Sequence, residues 1–487
     1  MTQSGQASAL AAHLQTWGLR AVEREADYEQ WQRDQIPVAD LVQLQQLAAR
    51  RSHNPNDAAA DEAFYDFVAQ PHIAPVLYSQ RWAYYLTVGA AINERLGSAR
   101  TILDVGCGLG ILTSWYAQQH PEATVVGIDR STTSIDQARE RAVAMGMQNC
   151  SFVCLDLDAD DAGASLQRLG AFDVIVATHA LLQSEQDPGL PSASWQTHER
   201  PQDPAAQLSF EQRTGLDRRL DRLIAALAPQ GRLLLCEKTH HLGRRVPFQR
   251  ALAARGLALT VQPTAIEYVS IEEPIQDGPL YVLSTNADSP VRWSEQPETT
   301  DEEGVAVHVG PVAASLYERL ALRIVLAQEN LYRPEVGPCQ MERGRSGLFT
   351  YTAVTPVDPK NPAPGTIAAL MIGIAPKGSQ GEAPAAADPQ PIQPSDDQTP
   401  LYENHSHAAQ WAYEQLPNRR TYDAVDRAES DGRQFHIEWG QAGRYAYVYC
   451  ANTFDQRQLV IVEEARQTIV EDYYRDLIGE TPSPAIA

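Results

Sequence analysis

The residues of this chain whose types and spacing most clearly suggest chemistry are two carboxylates set around a glycine-rich turn. The stretch from Thr101 to Gly110 reads TILDVGCGLG, so a short apolar run leads through Asp104 to Gly106, Gly108 and Gly110. Helix-compatible residues follow from Ile111 to Gln119. Glycine adopts backbone conformations closed to other residues and leaves room where a Cβ would collide, so such a turn can carry a ligand against bare backbone. Asp129 follows 25 residues after Asp104, at the end of a second apolar run, TVVGID. An acid there can accept hydrogen bonds from both hydroxyls of a ribose. A carboxylate in the turn itself repels a pyrophosphate but suits a cationic amino-acid group. The pattern favours a nucleoside carrying an amino acid over a dinucleotide.

From about Leu77 to Asn286 the chain resembles the class I S-adenosylmethionine-dependent methyltransferases. Asp104-Val-Gly106-Cys-Gly108-Leu-Gly110 matches that family's first motif, Asp129 its ribose-binding acid, and Asp156 in SFVCLDLDA the acid that usually faces the adenine amino group. The resemblance implies S-adenosyl-L-methionine as cofactor. It also implies a cofactor site of Asp104, Gly106, Cys107, Gly108, Gly110, Asp129, Arg130, Asp156, Leu157 and Ala177, and it leaves the methyl acceptor unnamed.

Methyl transfer from a sulfonium is an in-line displacement in which positioning does much of the work, and a base is needed only when the nucleophile carries a proton. The best-placed candidate base is His179, in FDVIVATHALLQS just past the expected fourth strand, because a histidine can titrate near neutrality. Its alternative role is a bond to backbone. Glu237, Lys238, His240 and His241 follow the fifth strand in LLLCEKTHH and are expected to line the substrate pocket. Adjacent residues diverge on a strand, and no carboxylate spacing completes a ligand set, so no metal is expected. The (Asn/Asp)-Pro-Pro-aromatic motif, which family members acting on planar amino groups carry after the fourth strand, is replaced here by Ala177-Thr178-His179-Ala180. Adenine or glutamine-amide methylation is thereby disfavoured.

The elements that must position these residues alternate as a parallel sheet requires. Strands are expected at 101–105, 124–128, 151–155, 172–177 and 231–237, with helices near 111–119, 133–146, 211–228 and 246–255. Two last strands, 257–271 and 279–285, are expected as an antiparallel hairpin at one edge. Residues 1–96 read as helices separated by Pro37, Pro55, Pro71 and Pro75, with Leu10, Leu14 and Trp17 on one face. The strongest of these helices runs from Tyr78 to Leu96, and its Gly89 would let a neighbour approach closely. Its aromatic residues Tyr78, Trp82, Tyr84 and Tyr85 are read first as packing the helix onto the sheet. Between Ser184 and Phe210 four prolines interrupt the alternation, which leaves either a lid on the cofactor side or an unstructured insertion.

At 487 residues the chain exceeds one ordinary domain. The expected division is a helical region at 1–96, a methyltransferase domain at 97–287, a linker at 288–304 and an α+β accessory domain at 305–487. A net charge of −23 disfavours nucleic acid and anionic membranes as partners, since both are held by basic patches. The six cysteines form no CxxC pair and no zinc-ligand spacing, and read as thiols in a reducing cytoplasm. No apolar run approaches membrane-spanning length.

Beyond the linker no motif names a family. A helix is expected over 311–328, strands at 348–355 and 366–375, and a low-complexity disordered stretch at 376–400. A helix at 404–416, strands at 433–439, 444–451 and 458–463, and a helix at 467–478 complete the chain. The order suggests a weak α-β-β duplication whose halves share no defensible residue pattern. A homodimer through this domain is open. The reading is therefore an α/β chain with a doubly wound, mostly parallel sheet, N-terminal helices and a C-terminal α+β domain. Its expected activity is methyl transfer to a small-molecule acceptor in the cytoplasm. A non-catalytic binding or regulatory protein acting through its C-terminal domain is the alternative, and a nicotinamide-dependent reductase conflicts with Asp104.

Overall fold

The apolar runs around the glycine turn lie at the centre of a seven-stranded sheet. The computed structural model describes residues 3–53, 57–182, 187–287, 290–297, 304–334, 336–358, 361–364, 366–377, 398–405, 407–429 and 433–479. The stretch expected to be disordered, 376–400, falls almost wholly outside them, as does part of the linker. Two compact units emerge: residues 1–190 with 202–295, and residues 191–201 with 296–487.

In the first unit the strands are β1 (Thr101–Val105), β2 (Thr124–Asp129), β3 (Cys150–Cys154), β4 (Phe172–Thr178), β5 (Leu227–Cys236), β6 (Ala258–Leu259), β7 (Glu267–Ser270), β8 (Glu273–Gln276) and β9 (Leu280–Ser284). The main sheet has the order β3-β2-β1-β4-β5-β9-β6. β1 to β5 run parallel, and β9 is antiparallel to both its neighbours. The helices are α1 (Gln3–Thr16), α2 (Glu25–Gln35), α3 (Val38–His53), α4 (Ala58–Val68), α5 (Ala74–Ser79), α6 (Trp82–Leu96), α7 (Ile111–Gln119), α8 (Thr132–Ala144), α9 (Ala162–Leu169), α10 (Pro204–Thr214), α11 (Leu216–Ala225) and α12 (Leu242–Ala254). Period-two alternation sends Leu103, Val105, Val126 and Ile128 into one core with Leu166, Leu220 and Phe248, and Ile102, Val125, Val174 and Val176 into another with Leu14, Ile92 and Tyr116. This is the class I methyltransferase fold, a doubly wound sheet covered on both faces.

Three local expectations change. The single strand read over 257–271 is only β6, after which the chain, with Pro263 in its path, forms the separate β7–β8 hairpin. The helix read over 211–228 is two helices, parted at Gly215 with φ +69°. The helix read from Tyr78 starts at Trp82, so Arg81 caps α6. Gly89 behaves as expected: a Cβ there would lie 2.7 Å from the side chain of Leu112.

The second unit is a duplication. Its first half holds β10 (Val305–Val309), α13 (Gly310–Arg319), β11 (Ile324–Arg333), β12 (Gly337–Ser346), β13 (Phe349–Asp358), β14 (Asn361–Pro364) and β15 (Ala369–Ile374). Its second half holds β16 (Tyr402–Asn404), α14 (His407–Gln415), β17 (Arg420–Ala428), β18 (Gln434–Ala442), β19 (Tyr445–Asn452), β20 (Arg457–Glu463) and α15 (Gln467–Ile478). The sheets have the orders β10-β15-β13-β12-β11 and β16-β20-β19-β18-β17, so each places its strands first, last, and then backwards to the second. The two halves do share a residue pattern, contrary to the sequence reading. Tyr317, Leu320, Arg323, Glu342, Gly344, Gly347 and Tyr351 recur 96 positions later as Tyr413, Leu416, Arg419, Glu438, Gly440, Gly443 and Tyr447. The geometry recurs with them: Glu342 accepts from Tyr317 at 2.7 Å and Tyr351 at 2.9 Å, and Glu438 accepts from Tyr413 at 2.7 Å and Tyr447 at 2.8 Å. Arg323 and Arg419 lie over the first tyrosine of their sets. Each glutamate thus ties its helix to its sheet.

The repeat was obscured because the expected helix 311–328 ends at Arg319. Leu322 turns with φ +49°, and the β-branched pair Ile324-Val325 opens an edge strand instead. The outer faces of the two sheets have also diverged. Ala446 and Val448 lie in a core with Val470 and Tyr474 of α15, whereas the matching positions of the first sheet are Thr350 and Thr352. The excursion after β4 contributes residues 191–201 to this unit. Trp195 stacks on His436 with ring centroids 3.8 Å apart, and the Ser192 N–H donates to the Thr453 carbonyl at 2.7 Å. Among the described residues no helix is long and apolar enough to cross a membrane.

Candidate functional site

A cavity opens where β1, β2, β3 and β4 end, the edge at which open α/β sheets bind ligands. The turn after β1 forms its floor. Gly108 has φ +50°, and a Cβ there would meet only the Tyr78 hydroxyl at 3.7 Å, so its backbone faces the cavity. Gly110 is different. A Cβ on it would lie 2.4 Å from the Phe152 ring, so this glycine lets the turn pack on β3 and does not line the cavity.

Asp104, Gly106, Cys107, Gly108, Asp129, Arg130, Asp156, Leu157 and His179 all line the cavity. Ala177 does not, because it is fully buried within β4 on the core side. The Asp104 carboxylate is buried and accepts a hydrogen bond from the Thr113 hydroxyl at 2.5 Å. Burial pushes its pKa up to about 7, the Thr113 bond opposes this, and the charge of Asp129 adds to it. No cation stands beside it among the described residues. Asp129 accepts from the N–H groups of Gly108 and Ser131, each at 2.9 Å. Burial raises its pKa as well, against those bonds. Burial also drives the Cys107 thiol far above its ordinary value, so it stays protonated. Asp156 accepts from the Asp158 N–H at 2.9 Å, closing the loop after β3.

The other wall comes from the N-terminal helices: Arg51, Asp61, Tyr65, Tyr78, Arg81, Tyr84 and Tyr85 line the same cavity. Asp61 receives Arg51 at 2.6 Å and Arg130 at 2.5 Å, which joins α3 and α4 to the end of β2. Arg81 donates to His179 Nδ1 at 3.0 Å and lies 4.8 Å from the centroid of the Tyr84 ring. No carboxylate pairs with Arg81 among the described residues. A guanidinium only donates, so Nδ1 is the acceptor here and Nε2–H faces Asp277 Oδ1 at 3.1 Å. Burial raises the Asp277 pKa, but the bonds from His179 and Tyr268 outweigh it and hold the carboxyl below its usual range. Both nitrogens of His179 are therefore engaged. Its backbone is held at φ +53°, a strained conformation for a residue other than glycine.

The residues after β5 do not line this cavity. Glu237 is buried, and its carboxylate accepts from the N–H groups of Ala180, Leu181 and Leu182 at 2.9, 3.0 and 3.3 Å. It fixes the loop that carries His179. Burial raises its pKa, while the three backbone bonds oppose the rise. Arg81, Asp61 and Asp277 were not anticipated as site residues. Arg81 and Asp61 fall in the N-terminal stretch read as helices, and Asp277 falls between the strands expected at 257–271 and 279–285. A cation directly before an aromatic run, Arg81-Trp-Ala-Tyr-Tyr, was the available signal.

Residues 102–197 match the family described as methyltransferase domain. An uncharacterised phycocyanin operon protein W of Pseudanabaena tenuis is 33% identical over 94 residues, which is 18% of this chain and 89% of that protein. A 23S rRNA (uracil(1939)-C(5))-methyltransferase of Aeromonas hydrophila is 32% identical over 102 residues, 19% of this chain and 22% of that enzyme. A malonyl-[acyl-carrier protein] O-methyltransferase of Acetivibrio thermocellus is 40% identical over 57 residues, 12% of this chain and 19% of that enzyme. The chain thus spans most of the first relative and about a fifth of each of the two named enzymes.

Proposed function

We propose that this chain, which carries a class I S-adenosylmethionine-dependent methyltransferase domain, transfers a methyl group to a small-molecule acceptor. The observation that carries the reading is that one cavity is lined by a buried carboxyl with no cation beside it, Asp104, and by a guanidinium with no carboxylate partner among the described residues, Arg81, which together suit the ammonium and carboxylate of an amino acid. S-adenosyl-L-methionine is the cofactor, and when bound it supplies an electrophilic methyl group on a sulfonium. In this reading Asp104 takes the ammonium, Arg81 the carboxylate, Gly106 makes room for Ala180, and Gly108 leaves the backbone open beneath. Asp129 accepts the ribose hydroxyls, Asp156 faces the adenine amino group, and Cys107, Arg130 and Leu157 flank the nucleoside. Gly110 and Ala177 support the site from below. His179 was expected as a base. With its nitrogens spent on Arg81 and Asp277 it acts here as a positioning residue that aims Arg81.

Tyr65, Tyr84 and Tyr85 give the cavity an aromatic wall fitted to a compact acceptor. The net charge of −23 and the free thiols support a cytoplasmic enzyme acting on small molecules. The match to an rRNA methyltransferase favours a second reading, in which the acceptor is RNA. Titration with S-adenosylhomocysteine, with NADH as control, tests the cofactor: binding of the former alone is expected, and binding of NADH alone would overturn the reading. Labelled methyl transfer is then measured separately into an RNA-free metabolite extract and into purified RNA. Counts in the extract support the first acceptor class, and counts in RNA the second.

A further inference from the structure

The β7–β8 hairpin stands apart from the main sheet, and a lone two-stranded hairpin is only marginally stable in water, so its contacts hold it in place. Its turn is strained. Ile271 and Glu272 connect Ser270 to Glu273 with φ of +44° and +68°, the left-handed values of a turn that asparagine and glycine make with ease. A β-branched residue at such a φ persists only where its surroundings fix it. They do so here: Ile271 packs against the cluster of Tyr28, Phe67 and Val76, and the Glu272 carboxylate accepts from the Glu25 N–H at 3.3 Å, where α2 begins. From this footing the hairpin reaches Arg81 by two routes. The Ser270 hydroxyl donates at 2.8 Å to the carbonyl of Gln80, the residue directly before Arg81 at the bend between α5 and α6. The Tyr268 hydroxyl donates to Asp277 Oδ2 at 3.1 Å, while Asp277 Oδ1 takes the Nε2–H of His179, whose Nδ1 receives Arg81. The Tyr268 ring also stands edge-on to Tyr84, with centroids 6.0 Å apart, and the guanidinium of Arg81 lies over the Tyr84 ring.

We propose that the β7–β8 hairpin sets the guanidinium of Arg81 for the carboxylate of the cofactor's amino acid, with Tyr268 and Ser270 as its positioning residues. This rests on the reading of Arg81 as the partner of that carboxylate. Neither Tyr268 nor Ser270 lines the cavity, so each acts through another group. Ser270 fixes the main chain that carries Arg81. Tyr268 fixes Asp277, so that His179 keeps the tautomer whose Nδ1 accepts from the guanidinium. An arginine gives up rotamer freedom when it binds an anion, and a guanidinium already held at Nδ1 and over a ring has less to give up. Arg81 is thereby aimed before the ligand arrives.

Calorimetric titration of the full chain with S-adenosylhomocysteine and with its decarboxylated analogue, which keeps the ammonium and lacks the carboxylate, tests this. Arg81→Gln should weaken binding of the first ligand and leave the second unchanged. Tyr268→Phe should do the same by about tenfold and Ser270→Ala by about threefold, since each removes a bond that holds Arg81 in place. Added to Arg81→Gln, Tyr268→Phe should weaken binding no further, because both act on one interaction. Circular dichroism establishes that each variant is folded, and Ser270→Ala carries the test if Tyr268→Phe is not. An Arg81→Gln variant that treats the two ligands alike removes the assignment of Arg81, and the proposal with it. The proposal alone is overturned if Arg81→Gln discriminates between the ligands while neither hairpin variant does, or if the losses in the double variant add.

Discussion

The charge state of Asp104 gives the sharpest test of the site. Burial raises its pKa from 3.8 to about 7, with only the Thr113 hydroxyl to stabilise the ionised form. A carboxyl whose folded value lies above its unfolded value destabilises the fold as pH rises between the two, because the unfolded state loses the proton first. The ligand-free protein should therefore lose stability from about pH 4 to pH 7. A ligand ammonium beside Asp104 favours the carboxylate, so binding below pH 7 must release this proton. With a pKa of about 7, the fraction of ready carboxylate rises about eightfold between pH 6 and pH 7.5, equivalent to roughly 1.2 kcal/mol of binding free energy. The assay is calorimetric titration with S-adenosylhomocysteine at both pH values, in buffers of different ionisation enthalpy so that released protons are counted. Asp104→Asn should bind more weakly and lose the pH dependence over this interval. An eightfold change that persists in Asp104→Asn, or a flat profile in the parent protein, would refute the assignment of Asp104 to a cationic ligand group.

Asp129→Ala should weaken S-adenosylhomocysteine binding by about 2–4 kcal/mol, the loss of two charge-assisted bonds that do not add fully; unchanged affinity in the folded variant removes the ribose assignment. Gly110→Ala should lower thermal stability by about 2–4 kcal/mol, because the new Cβ meets the Phe152 ring and the φ of +77° strains any side chain; a chemical denaturation curve like the parent's would contradict this. Glu237→Ala should cost at least about 3 kcal/mol by stranding three N–H groups, and Glu237→Gln less; equal midpoints for the two would show that the carboxylate does not hold the loop. Trp195→Ala should speed proteolytic cleavage within 187–203 without changing S-adenosylhomocysteine affinity, since it removes the stack on His436; an unchanged digestion pattern would count against that anchor.

The sequence by itself determined the unit that forms the floor of the cavity. Asp104, the glycines and Asp129 lie within 30 residues, in one strand-turn-helix-strand unit whose geometry follows from local pattern: apolar alternation sets the strands, and glycine alone tolerates the turn. Asp156 was legible for the same reason, as the acid closing the next strand. The α+β character of the second unit was also readable, though its repeat was not, because a helical reading of 311–328 carried past Arg319 and concealed β11. Only the tertiary structure decided the opposite wall. Arg81 reaches His179 across 98 residues and His179 reaches Asp277 across another 98, so no window of sequence contains the network. The same holds for Glu237, which looked like pocket lining until three backbone N–H groups of the neighbouring strand's loop were found on it. Turns and strands are set by interactions among near neighbours, whereas the partner of a buried charge is whatever the packed sheet brings within hydrogen-bond reach.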